Sequence, residues 1–415
     1  MTPPLLPSLA GPLIRLLLLS VIISRSTCRH ALDSDADLDA ELNGKNASQD
    51  ISSRQCSHLL KRQEWRTLSD EHKSEYIRAV KCTRKLPKLS SYAGVQSRFD
   101  DFQAVHIHTA DSIHYTGHFL PWHRRFVTLF EQTLRRDCDY RGAIPYWDWS
   151  QDHFRIRTSP VFDPVTGFGG DGVKGTYTLP DNVTEESQII RSTFVGCVMD
   201  GPFGYNASDP ESFVVHGGPG KLVTTHCLVR GINDGFKQFL SADVVQNALR
   251  QQTYEEFRLA LEGNDQHHRR EESMDDSDLE LSEHASGHLV VGGELGNLYS
   301  SPGEPLFFLH HANLDRIWWN WQIMDPDQRL ADMSGNVLSD DVEDAPEDGL
   351  EWEDWISGQL PEDHDDQYNG IDFGGLNASS TVTLDLGLRF GPLGETIHIR
   401  DIMDITQFPS CYIYI

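Results

Sequence analysis

From Pro121 to Arg136 the apolar residues Phe126, Leu129, Phe130 and Leu134 recur at a spacing of three and four, the stripe of a helix packed on one side. Arg124, Arg125, Glu131, Arg135 and Arg136 fall on its polar side, and Pro121 sits where such a helix can begin. Ser97 to Ile107 predicts another helix. Arg62 to Cys82 sets Trp65, Leu68, Tyr76, Ile77 and Val80 among charges and predicts helical segments around a start at Ser69-Asp70. Tyr254 to Leu261 and the stretch from Pro305 add two more. Between them, Pro145 to Trp149 is an aromatic loop. Pro160 to Gly235, rich in Gly, Pro and Thr, predicts long loops with a few short strands. Alternation after Thr381 predicts short strands to the end of the chain.

Composition narrows this to a globular protein. The formal net charge of −28 over 415 residues argues against nucleic acid and an anionic membrane surface as partners. Leu13 to Ile23 is a short apolar run, too short to span a bilayer, and reads as a secretory signal over about residues 1–27. Residues 28–55 are acidic and polar and form a flexible leader, leaving 56–415 as one domain. The runs Asn264 to Glu280 and Asp332 to Asp366 are acidic too and predict exposed loops.

Secretion agrees with sequons at Asn46, Asn182, Asn206 and Asn377. Beyond Cys28, six cysteines remain (Cys56, Cys82, Cys138, Cys197, Cys227 and Cys411), an even set for three disulfides in an oxidising compartment. Pairing near neighbours joins Cys56 with Cys82 and Cys197 with Cys227, leaving Cys138 for Cys411. No membrane contact is expected once the signal is removed.

The candidate chemistry lies in the histidines. His284 and His288 are four apart, so on a helix both imidazoles leave one face. A third nitrogen is on offer at His310 or His311, and a second set stands at His106, His114 and His123. Adjacent helical residues point about 100° apart, so His310 and His311 should not both face one ion. Three neutral imidazoles per ion, twice over and without thiolate or carboxylate, suit a pair of copper ions cycling between two oxidation states.

The stretches Phe119-Leu120-Pro121-Trp122-His123-Arg124-Arg125-Phe126 and Pro145-Tyr146-Trp147-Asp148-Trp149, with His106 and His114 upstream, resemble the first half-site of the tyrosinase and catechol oxidase family. His284-x-x-x-His288 with Leu309-His310-His311-Ala312-Asn313-Leu314-Asp315-Arg316 resembles the second, in the short, secreted fungal branch. The resemblance implies a mainly α domain whose four-helix bundle core holds a dinuclear type 3 copper site amid long loops and a few strands. It assigns His106, His114 and His123 to one copper, and His284, His288 and His311 to the other. O2 would be the co-substrate and a small phenol the substrate: o-diphenols or o-aminophenols leave as o-quinones while O2 becomes water. The alternatives are a true tyrosinase that hydroxylates monophenols and a haemocyanin-like O2 carrier.

Departures from the family sharpen these expectations. Ser112 replaces the cysteine that many members cross-link to the second histidine, so no thioether is expected. Ala285 stands where efficient monophenol hydroxylases often carry Asn, and Leu289 follows the next ligand, which implies weak or no monophenol hydroxylation. Leu298 takes the gate position over the second copper. Asp315, four residues after His311, could orient an imidazole through its free N–H. Tyr412-Ile413-Tyr414 matches the motif that ends the catalytic core, so no C-terminal shielding domain is expected.

Overall fold

The computed structural model describes residues 55–184, 187–263, 282–338, 370–371 and 380–415. Asn46, Asn377, the predicted signal and leader, and the acidic run from Asn264 lie outside the described residues, as does nearly all of the second acidic run beyond Leu338. Helices dominate. Helix α1 (Asp70–Thr83) starts as expected at Ser69, whose side chain accepts from the His72 amide. Helix α2 (Arg98–Ile113) opens with a Ser97/Asp100 capping box and runs longer than the apolar pattern predicts. Helices α3 (Phe119–Asp137), α4 (Ala242–Leu249), α5 (Tyr254–Glu262), α6 (Glu283–Leu289), α7 (Leu306–Gln322) and α8 (Pro326–Arg329) follow.

Helices α2, α3, α6 and α7 form the bundle that carries the clustered histidines. Its core is aromatic: Phe130 stacks on Phe308 with centroids 3.6 Å apart, and Phe102 meets both edge-on. Trp122 stacks on Phe126 and Phe390, which closes the side of α3 away from α7.

The strands are short. β1 (Leu60–Arg62) pairs in parallel with β9 (Tyr412–Tyr414), Leu60 opposite Tyr412, so the two ends of the domain meet. β2 (Gly172–Lys174), β3 (Gly196–Val198) and β6 (Val229–Arg230) form an antiparallel sheet in the loop-rich region. β4 (Val214–Val215) pairs with β5 (His226–Cys227), and β7 (Gly387–Leu388) with β8 (Ile397–His398).

Two expectations need correction. The disulfides join Cys56 with Cys411 and Cys82 with Cys138; only Cys197–Cys227 follows near-neighbour pairing. The reason is the fold: Cys56 and Cys411 flank the paired terminal strands, while Cys82 and Cys138 close helices α1 and α3. Also, Arg124 and Glu131 are buried rather than solvated. Arg124 pairs with Asp315, and Glu131 pairs with Arg62 and accepts the Ile144 amide, so their charges are met inside.

Candidate metal centre

The first set is built by α2 and α3. His106 projects from mid-helix, His114 from the residue that ends α2, and His123 from the first turns of α3. One ring nitrogen from each lies within 4.8 Å of the other two. Each Nδ1 is held by a backbone carbonyl: Tyr299 for His106 (2.9 Å), Ala110 for His114 (2.8 Å) and Phe119 for His123 (2.9 Å). Donation from Nδ1 fixes the tautomer and leaves Nε2 as a bare lone pair. Nε2 of His106 and of His123 is buried with no hydrogen-bond partner.

The second set comes from α6 and α7. His288 Nδ1 donates to Leu295 O (2.7 Å), while its Nε2 lies 3.1 Å from Nε2 of His284 and 3.2 Å from Nε2 of His311. His288 Nε2, a bare lone pair, can accept a hydrogen bond from either neighbour according to its tautomer, and an ion among the three nitrogens would satisfy all of them at once. Burial, followed by neighbouring imidazoles, holds His284 and His311 well below the ordinary histidine range; burial takes His288 down to about 3. His106 and His123 shift the same way for the same reasons, so these imidazoles are neutral.

The two sets face each other. His123 stacks on His311 with centroids 4.4 Å apart, and His114 lies parallel to His284 at 5.9 Å. Phe119 and Phe307 bracket the pair: Phe119 is 4.6 Å from the His284 ring, and Phe307 is 4.2 Å from His311 and 5.3 Å from His106. Two sites of three imidazoles, side by side in an apolar setting, suit a dinuclear copper centre. Residues 96–324 of the chain match the common central domain of tyrosinase. The chain belongs to the tyrosinase family.

Tyrosinase-family members are dicopper oxidoreductases, and this chain is one by family. It is 30% identical over 376 residues to Tyrosinase P of Aspergillus terreus, covering 85% of this chain and 91% of that one. An N-acetyl-6-hydroxytryptophan oxidase of Emericella nidulans is 28% identical over 417 residues, 93% of this chain and 100% of the relative. The fold superposes on a polyphenol oxidase variant from Thermothelomyces thermophila with a TM-score of 0.65 and 28% identity, over 86% and 89% of the two chains.

Other predicted positions divide. Ser112 is buried, its hydroxyl donating to Thr109 O. Ala285 is half-buried and Leu289 buried, both on α6; Leu298 is half-buried in the loop before α7, next to Tyr299. Asn182 and Asn206 are exposed. Asp315 does not orient an imidazole. Its Oδ1 accepts from Arg124 Nε (2.5 Å), its Oδ2 from Arg62, Tyr412 and Tyr414, and His311 Nδ1 has no hydrogen-bond partner. Burial alone would raise this carboxyl; Arg124 and Arg62 outweigh it and hold it below the usual range. The tyrosine motif thus ties β9 to α7 through Asp315.

One expectation needs correction and two features escaped the sequence. His310 and His311, although adjacent on α7, both offer a nitrogen to the second group: the His310 Nδ1 accepts from the Trp149 indole (3.3 Å), and its ring lies where a side chain on Gly287 would be. Glu262, pushed up to about 8 by burial despite Arg258, accepts the amide of Tyr115 (2.6 Å) and fixes the residue after His114. The carbonyls of Leu295 and Tyr299 belong to a loop that no periodicity marks.

Proposed function

We propose that His106, His114 and His123 hold one copper ion and His284, His288 and His311 a second. On this reading the enzyme oxidises o-diphenols to o-quinones, or o-aminophenols to o-quinone imines, two substrates per O2, with O2 leaving as two waters. The convergence of neutral, carbonyl-oriented imidazoles into two facing groups carries this reading. Copper, when bound, supplies the one-electron steps between substrate and O2. The chain supplies the rest. Nδ1 donation turns the Nε2 lone pairs of His106, His114, His123 and His288 inward, burial keeps the rings unprotonated, and Phe119 and Phe307 exclude water from between the sets.

Ala285 favours the diphenol reading. Hydroxylation of a monophenol calls for a neighbouring acceptor for its proton, and a methyl group offers none. Leu298 narrows the entrance over the second ion. The relative named for N-acetyl-6-hydroxytryptophan supports a hydroxylated aromatic ring as substrate class. The enzyme is secreted: three disulfides and the exposed sequons at Asn182 and Asn206 fit the apolar N-terminal run.

Oxygen uptake by copper-loaded protein, offered a catechol, an o-aminophenol and a monophenol in parallel, tests this. Prompt uptake with the first two and little with the third is expected. Equal uptake with the monophenol makes it a true tyrosinase, and bound copper without uptake makes it an O2 carrier.

A further inference from the structure

The carbonyl that receives His288 Nδ1 belongs to Leu295, and the one that receives His106 Nδ1 belongs to Tyr299. One loop of five residues therefore orients an imidazole in each set. The loop is held from outside the centre. Glu294 is fully buried; its Oε1 accepts from His226 Nε2 (2.6 Å) and its Oε2 from the Ser300 hydroxyl (2.9 Å). Asn297 Oδ1 accepts the amides of Tyr299 and Ser300, both at 3.0 Å, while its Nδ2 donates to the carbonyls of Ser187 and Gln188. His226 lies on β5 beside Cys227, which the disulfide to Cys197 ties to β3.

We propose that His226 and Glu294 are a positioning pair whose charge state sets how firmly residues 295–299 hold His106 and His288, and so how firmly both metal ions are kept. The proposal rests on the two histidine sets being copper sites. A carboxylate at zero exposure needs donors or a counter-charge, and His226 pairs with it at 2.6 Å. The groups facing His226 are Glu294 at Nε2, the hydroxyl and carbonyl of Thr224 at Nδ1 (3.0 and 3.2 Å), the Tyr177 ring at 5.5 Å and, through space, His216. Burial pushes His226 down, but Glu294 and the hydrogen bonds push it further up, so the net shift is upward. A raised value means the pair is at full strength below the ordinary histidine range and weakens as pH rises through the raised value. The loop loosens on the alkaline side.

The test is the rate at which a chelator strips copper from the loaded full chain across pH, read beside kcat and KM. Wild type should lose copper slowly at mildly acid pH and faster above a step. In His226→Gln, which keeps a donor and cannot ionise, loss at acid pH should rise by about tenfold and the step should vanish, in line with outer-sphere partners of metal ligands. Glu294→Gln should behave alike, with the loss of both ions accelerated and kcat falling more than KM changes. If His226→Gln fails to fold, Thr224→Val, which removes one partner of Nδ1, should move the step to lower pH. A step that persists in His226→Gln, or stays in place in Thr224→Val, overturns the proposal. So does a variant that only lowers the melting temperature of the apo-protein. A chain that takes up no copper overturns the functional reading and this one with it, whereas a wild type that oxidises catechol with a flat stripping profile overturns this one alone.

Discussion

The two histidine sets use the same ligand type but are held differently. In the first, all three rings hand Nδ1 to a backbone carbonyl, two of them within their own helices. In the second, only His288 is so held; Nδ1 of His284 and of His311 is buried without a hydrogen-bond partner. The first set is therefore oriented by the backbone before any ion arrives. The second is oriented by packing around Gly287, His310 and Phe119, and needs the ion to hold its nitrogens together. Preorganisation costs nothing at the moment of binding, so the first site should keep copper more firmly than the second.

Removing one ligand from each set breaks this comparison most severely. His123→Ala and His311→Ala should both abolish catechol oxidation, because the reaction needs the pair. They should differ in metal content: His311→Ala retains one copper per chain, in the backbone-held set, while His123→Ala retains less than one after dialysis. Equal retention in the two variants would show that the carbonyls do not matter.

Asp315→Asn tests what the sets share. Arg124 follows His123, and Asp315 stands one turn after His311, so their ion pair joins the two ligand helices from below. Taking away the carboxylate charge leaves Arg124 buried without its counter-charge, while Arg62 keeps Glu131, at a cost of roughly 3–5 kcal/mol. A denaturation midpoint of the apo-protein measures it. Since the pair touches both helices, copper loss should quicken at both sites alike.

Gly287→Ala separates them again. An added methyl meets the His310 ring, and α6 must shift to admit it. The expected loss is about 1–3 kcal/mol of stability, with copper lost from the second site only. Metal analysis after graded chelation reads this directly.

The contrast also marks what a sequence can reveal. Ligands that lie on one helix face announce themselves: His284 and His288 by their spacing, and the α3 stripe around His123 by its period. Contacts between residues far apart in the chain do not. Arg62 and Asp315 meet across 253 positions, and Cys56 and Cys411 across 355, because the terminal strands pair; neither leaves a local signature. The spacing of Asp315 from His311 points to an imidazole partner, yet its partners lie on β1, α3 and β9. The Leu295 and Tyr299 carbonyls were invisible for a plainer reason: every residue carries a carbonyl, and only the fold decides which ones meet an imidazole.

Ala285→Asn is the smallest change and the finest probe of the difference between the sets. Residue 285 follows His284 on α6, within the less constrained half, so a polar side chain there can reach the edge of the centre without disturbing any ring that a carbonyl holds. An amide at this position could hold an acceptor beside an incoming phenol, where the methyl group of Ala285 leaves the proton with nowhere to go. Monophenol uptake relative to catechol uptake should rise by about tenfold, at the low end of what a positioned proton acceptor contributes. Copper content and catechol kcat should stay as they are. If the ratio does not move while copper stays bound, the monophenol limit lies elsewhere, with Leu298 at the entrance as the next residue to change.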